Sequence, residues 1–232
     1  AGILDCKKYL ERANNNIEEA IKLIRSEAGL KADKKGSRIA AEGIVNYYED
    51  DNFSLILELN SETDFVARDD NFISLATFIA EKLLKNDISN AKEEIDNEIS
   101  SVISKLGENI QLRRYKKIQK NNFVFGYSHN NKISSLVELK NNDDLLAKDI
   151  CMQIVASNPL SLDEVSLDAN ILKSEKEIYK KELEKLDKKE DIKRNILDGK
   201  MKKFISENTL LNQPFVKDPS TSLSKIIKDN EI

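Results

Sequence analysis

Tryptophan is absent from this 232-residue chain, and glycine (7) and proline (3) are scarce. Collagen-like and linker-dominated architectures are thereby excluded, and long helices are expected. The two cysteines, Cys6 and Cys151, lie in apolar helical patterns without a CxxC partner. No disulfide framework is expected, and a reducing compartment is the default. A single histidine, His129, cannot build a His-based metal site, and no histidine neighbours either cysteine in sequence. Apolar runs such as Ile150 to Ala156 fall far short of the ~18 residues a bilayer-crossing helix requires. An excess of one charge is also missing: Lys plus Arg (37) against Asp plus Glu (41) leaves a net charge of −4. That balance argues against a dedicated nucleic-acid binder, whose affinity comes from counterion release onto a basic face.

What the chain does have is 34% charged and 40% hydrophobic residues, ample for real cores. Ile3, Cys6, Leu10 and Ala13 recur at helical spacing, with Leu4 and Lys7 on a neighbouring stripe that faces outward. The Asn14-Asn15-Asn16 triple ends this helix. Asn16 with Glu19 is a capping-box variant opening a second helix, whose Ile17, Ala20, Ile21, Ile24 and Ala28 share one face as far as Gly29. The basic stretch from Lys31 to Arg38 reads as a linker, which puts a boundary beside this small helical module.

Beyond the linker, Ile44 to Tyr48, an Asp50-Asp51-Asn52 turn and the alternation of Phe53, Leu55, Leu57 and Leu59 read as a β-hairpin. Phe72, Leu75, Ile79 and Leu83 mark one helix, and Ile95, Ile99, Val102, Ile103 and Leu106 another, closed by Gly107. Strand candidates resume at residues 110–118, 123–129 and 133–139, the last two joined by an Asn130-Asn131 turn. Leu145, Ile150, Ile154 and Val155 form a further helix ended by Pro159. From Leu172 to Lys203 a thin apolar seam (Ile178, Leu183, Leu186, Ile192, Ile196, Leu197), interrupted at Asp187-Lys188-Lys189, predicts an antiparallel helical hairpin. That hairpin is either a protruding arm or coiled coil, or a solvated surface pair. The tail holds an extended piece from Gln213 to Val216 and a short helix around Leu223, Ile226 and Ile227.

Catalytic signatures are weak. No GxGxxG or P-loop cradle occurs, so direct nucleotide binding is not expected. His129 sits in a turn without a GxSxG elbow, and the pairs Asp50-Asp51, Asp69-Asp70 and Asp143-Asp144 fit caps better than acid–base machinery. The unusual segment is Glu58 to Arg68, ELNSETDFVAR, which leaves a strand through polar residues and then sets Phe65 and Val66 among charges. Phe65 on such a tip either packs back onto its own helix or enters a partner, and composition favours packing back. If exposed, it would be an apolar anchor with a steering carboxylate beside it.

Residues 58–68 resemble the hallmark motif of the elongation factor Ts family. Further similar stretches run in the family's order: AGILDCKKYL from Ala1, LGENIQLRR from Leu106, YSH from Tyr127, GKMKKF from Gly199 and QPFVKD from Gln213. The resemblance implies an α+β fold: a small N-terminal, ubiquitin-associated-like helical module and a two-subdomain core with antiparallel sheets, with an antiparallel helical hairpin inserted. The corresponding ranges are 1–37 for the module, 38–128 for the first core subdomain, 129–171 with 204–232 for the second, and 172–203 for the hairpin. The family's first helix, with its Leu-Arg-x-x-Thr-Gly stretch, has no counterpart before Ala1, and many members continue beyond Ile227, so trimmed ends are expected.

For function, the resemblance implies a guanine-nucleotide exchange factor acting on elongation factor Tu, without a cofactor or enzymatic turnover of its own. Asp64 and Phe65, flanked by Thr63 and Val66, would intrude near the partner's Mg²⁺ and switch region, with Leu106 and Gly107 packing beside the intrusion. Ile3, Leu4 and Lys7 would grip the partner's G domain, His129 would touch one of its β-barrel domains, and Lys35 would approach it from the linker. The expected location is the bacterial cytoplasm, with an organelle as the alternative. Whether the assembly is a homodimer or a two-plus-two complex with the partner stays open. A second reading keeps the fold but makes the chain a non-catalytic binding or scaffold partner of a translation GTPase. A hydrolase built on His129 and acidic pairs is a distant third.

Overall fold

Leu55, Leu57 and Leu59 alternate along β2 (Phe53–Ser61) in a computed structural model that describes residues 3–24 and 38–229. This strand is central to a three-stranded antiparallel sheet, between β1 (Glu42–Glu49) and β3 (Gln111–Gln119). With a period of two, its three leucines share one face and are completely buried. Two helices supply the other side of the core. They are α4 (Asp70–Lys85), through Phe72, Leu75, Ile79 and Leu83, and α5 (Ile88–Leu106), through Ile95, Val102 and Ile103. The turn between β1 and β2 is closed by Asp50, whose carboxylate accepts from the N–H groups of Asn52 (2.8 Å) and Phe53 (2.7 Å).

Chain contacts divide the protein into two compact units, Ala1–Leu136 and Val137–Ile232. The division falls inside β5 (Ile133–Leu139), the partner of β4 (Phe123–His129), whereas the sequence reading put a subdomain boundary between residues 128 and 129. The expected β4–β5 turn is present: Lys132 N–H donates to His129 O, and Asn130 and Asn131 both adopt positive φ (51° and 56°). Two such central residues match the twist of a hairpin, and Asn tolerates that backbone region.

At the start of the first unit, α1 (Ile3–Arg12) and α2 (residues 17–24) form the helical module. Asn16 caps α2 through its side-chain oxygen and the N–H of Glu19 (3.1 Å), as the capping pattern predicts. The apolar faces differ from those read in the sequence. Tyr9, Ala13 and Ala20 are the buried centre, with Leu10, Leu23 and Ile24 packed around them, while Ile17 and Ile21 are exposed. The aromatic ring of Tyr9 packs with the small Ala13 and Ala20, so that Ala20 and Ile24 of the predicted stripe join the cluster while Ile17 and Ile21 stay outside it.

The second unit contains α6 (Asp144–Ser157), α7 (Ala169–Glu184), α8 (Glu190–Asn208), the antiparallel pair β6 (Pro214–Phe215) and β7 (Asp218–Ser222), and α9 (Leu223–Asp229). α6 stops at Asn158, in the left-handed region (φ 45°) just before Pro159. α7 and α8 are the expected helical hairpin. Of its seam, Leu183 and Leu197 are buried, whereas Ile178, Leu186 and Ile192 are exposed. Helices and small antiparallel sheets together make an α+β protein.

Candidate functional site

The segment between β2 and α4 carries the site. β2 runs to Ser61, and β1 approaches it closely opposite Asn60. A Cβ at Gly43 (φ 141°) would lie 2.1 Å from the Leu59 carbonyl oxygen, so only glycine fits. Thr63 then caps a single helical turn, α3 (Asp64–Ala67): its backbone is extended (φ −124°, ψ 158°), and its hydroxyl oxygen accepts from the Val66 N–H at 3.4 Å. Helical spacing divides the turn's side chains between two sides. Ala67 is buried and Val66 packs on the main core, whereas Phe65 points away and is 82% exposed. The expectation that Phe65 packs back is overturned. Val66 and Ala67 occupy the inward positions of the single turn, which leaves Phe65 on its solvent side. Beside Phe65, Asp64 pairs with Arg68 one turn on, at 3.0 Å and largely in solvent.

A second segment clasps this turn from the end of α5. Gly107, in the left-handed region at φ 83°, donates its N–H to Ile103 O and breaks the helix, as its position predicts. The chain then presents Glu108 and Asn109 to Glu62 and Thr63. Glu108 Oε2 accepts from the N–H groups of Glu62 (3.1 Å) and Thr63 (3.0 Å), and Oε1 accepts from the Thr63 hydroxyl (2.7 Å). In return, the Asn109 N–H donates to Glu62 Oε1 at 2.6 Å, and the buried Asn109 side-chain amide donates to Arg38 O at 2.7 Å. Arg38 closes the group with an ion pair to Glu62 at 3.5 Å. Glu62, Glu108 and Asn109 were not among the residues picked from the sequence. Their signal was faint: polar residues just outside a strand end and a helix end, paired only by the fold.

A family model described as Elongation factor TS matches residues 62–232. Relatives named Elongation factor Ts include one from Legionella pneumophila (strain Paris), 37% identical over 241 residues, covering 99% of this chain and 82% of the relative. Another, from Halothermothrix orenii (strain H 168 / OCM 544 / DSM 9562), is 40% identical over 249 residues, covering 99% of this chain and 83% of the relative. The chain belongs to the elongation factor Ts family. It is therefore a translation elongation factor, a component of protein biosynthesis.

Of the positions that the elongation factor Ts resemblance singles out, Thr63, Asp64, Phe65 and Val66 lie on the cap and single turn of α3, and Leu106 and Gly107 directly precede the residues that clasp it. Leu106 is half-buried against the core and Gly107 is exposed. His129 lies elsewhere in the same unit, at the end of β4, exposed, with its ring nitrogens beside the Tyr127 hydroxyl (3.0 Å) and the Asn130 amide (3.3 Å). Its hairpin is tied to β1: the Val45 N–H donates to Asn131 O at 2.8 Å and the Tyr47 N–H to Ser128 Oγ at 2.9 Å. On α1, Leu4 is 83% exposed, and Lys7 is exposed within 4.0 Å of Glu11. Ile3 opens α1, and Lys35 lies outside the described residues. No helix among the described residues is long and apolar enough to cross a membrane.

Proposed function

We propose that this chain promotes GDP release from elongation factor Tu by inserting Phe65, with Asp64 beside it, near the partner's Mg²⁺ and switch region. The exposure of Phe65 is the observation that carries this reading. A phenylalanine loses about 1.5–3 kcal/mol by staying in water instead of being buried, so an aromatic ring fixed outward on a braced turn is well suited to burial in a partner.

Exchange then follows from linkage. A factor that binds the nucleotide-free partner more tightly than the GDP-bound one weakens GDP binding by the same coupling free energy. Phe65 contributes by displacing packed elements that carry phosphate and Mg²⁺ contacts, and Asp64 by bringing a carboxylate into that neighbourhood. To act on the cation, Asp64 must leave Arg68, which costs little because exposed ion pairs contribute about 0–1 kcal/mol. An aromatic anchor buried on binding contributes ~2–4 kcal/mol, a factor of about 30 to 1,000. No bond is made or broken, so the protein acts as a catalyst of dissociation and needs no cofactor.

The deciding experiment is stopped-flow release of a fluorescent GDP from elongation factor Tu with substoichiometric amounts of this chain. Accelerated release with turnover supports exchange. A stable complex with unaccelerated release would instead establish the scaffold reading.

A further inference from the structure

We propose that Glu108 is a positioning residue for the Phe65 prong, a role that rests on the exchange reading above. The argument begins with the size of α3. A single helical turn has no intrinsic stability, because nucleation fixes several dihedral angles for its first hydrogen bond. The direction of Phe65 must therefore be imposed from outside the turn. Val66 and Ala67 hold its inner side on the core, but apolar contact alone does not fix its entry angle.

Glu108 supplies that constraint. Its carboxylate gathers three donors, the N–H groups of Glu62 and Thr63 and the Thr63 hydroxyl. The hydroxyl proton is thus committed to Glu108, which leaves the Thr63 oxygen free to accept from Val66 N–H and cap the turn. A relay runs from the end of α5 through Thr63 into the prong. The donors converge on one end of the side chain, where the two terminal oxygens of Glu108 receive all three. The reciprocal bond from Asn109 to Glu62 locks the same two dipeptides in the opposite direction. Leu106-Gly107 and Asp64-Phe65 therefore form one preorganised surface, although far apart in sequence.

Preorganisation lowers the ordering cost at the moment of binding. Glu108→Ala is expected to raise the concentration needed for half-maximal GDP release about tenfold, with a smaller fall in the maximal rate, because the bound partner can reimpose the geometry. Glu108→Gln should stay within about twofold of the parent: its amide oxygen keeps the two backbone donors and its amide nitrogen can face the Thr63 oxygen. Hydrogen exchange of the Thr63 and Val66 amides should accelerate in the alanine variant and not in the glutamine variant, while amides at Leu55 and Leu57 stay protected. In a Phe65→Ala background, adding Glu108→Ala should have almost no further effect on release, because no ring remains to be aimed. Should Glu108→Ala fail to fold, Thr63→Val, which removes both the hydroxyl bond to Glu108 and the cap it makes with Val66 N–H, is read in the same assays. Half-saturation unchanged in the alanine variant, or Phe65 and Glu108 effects that multiply independently, would overturn the positioning role. If Phe65→Ala itself leaves release unaltered, the exchange reading fails, and Glu108 loses its assigned purpose with it.

Discussion

Replacing Phe65 with alanine separates a surface anchor from a core residue. In a core, Phe→Ala costs about 3–5 kcal/mol through lost transfer energy and the cavity left behind. Phe65 is 82% exposed, so only about a fifth of that burial is at stake and the cost to folding should stay below about 1 kcal/mol. The same deletion removes nearly the whole ring from a partner pocket, worth ~2–4 kcal/mol, or roughly 30- to 1,000-fold in exchange. The two effects thus differ by at least about 1 kcal/mol, enough to resolve. Chemical denaturation of the free variant gives the first number. Stopped-flow release of labelled GDP from elongation factor Tu, over a range of factor concentrations, gives the second. A folding loss above about 3 kcal/mol would place the ring in the core and refute the structural premise, and normal release from a stable variant would refute the mechanism.

Three other changes test neighbouring parts of the argument. His129→Ala should weaken association with elongation factor Tu while leaving the melting temperature almost unchanged, because the exposed ring makes its hydrogen bonds at the surface, with the half-buried Tyr127 and the exposed Asn130; calorimetric titration and a thermal melt check both. Gly107→Ala forces a side chain into the left-handed region and should cost about 1–2 kcal/mol by denaturation, with release slowed as Glu108 is re-aimed. The carboxyl group of Asp69, the cap of α4, is held below its ordinary value by hydrogen bonds from the side chain and backbone of Asn71. Its stabilising contribution is therefore present above the unfolded-state value and lost as pH falls through the depressed folded value. The Asn71 amide shift, followed by NMR through an acid titration, should report a midpoint below that of an unstructured aspartate.

Local pattern predicted most elements because each is encoded within a few neighbouring residues. The leucines of β2, the Asn16 cap, Gly107 as a helix stop and the paired asparagines before β5 all act through their own backbone or the next turn. The module faces were harder to read. Choosing among Tyr9, Ile17 and Ile21 depends on which side chains fill a space shared by two helices, and periodicity does not measure volume.

At the site the division is sharper. The sequence alone determined the kinship, the strand leading to Ser61 and the presence of an aromatic beside an acid, since these reside in contiguous residues. Tertiary structure decided that Phe65 points outward, because Val66 and Ala67 take the only inward positions of a single turn. It also decided that Glu108 grips Thr63, a residue 45 positions away, through hydrogen bonds whose strict distance and direction can be met only after the sheet and helices have packed.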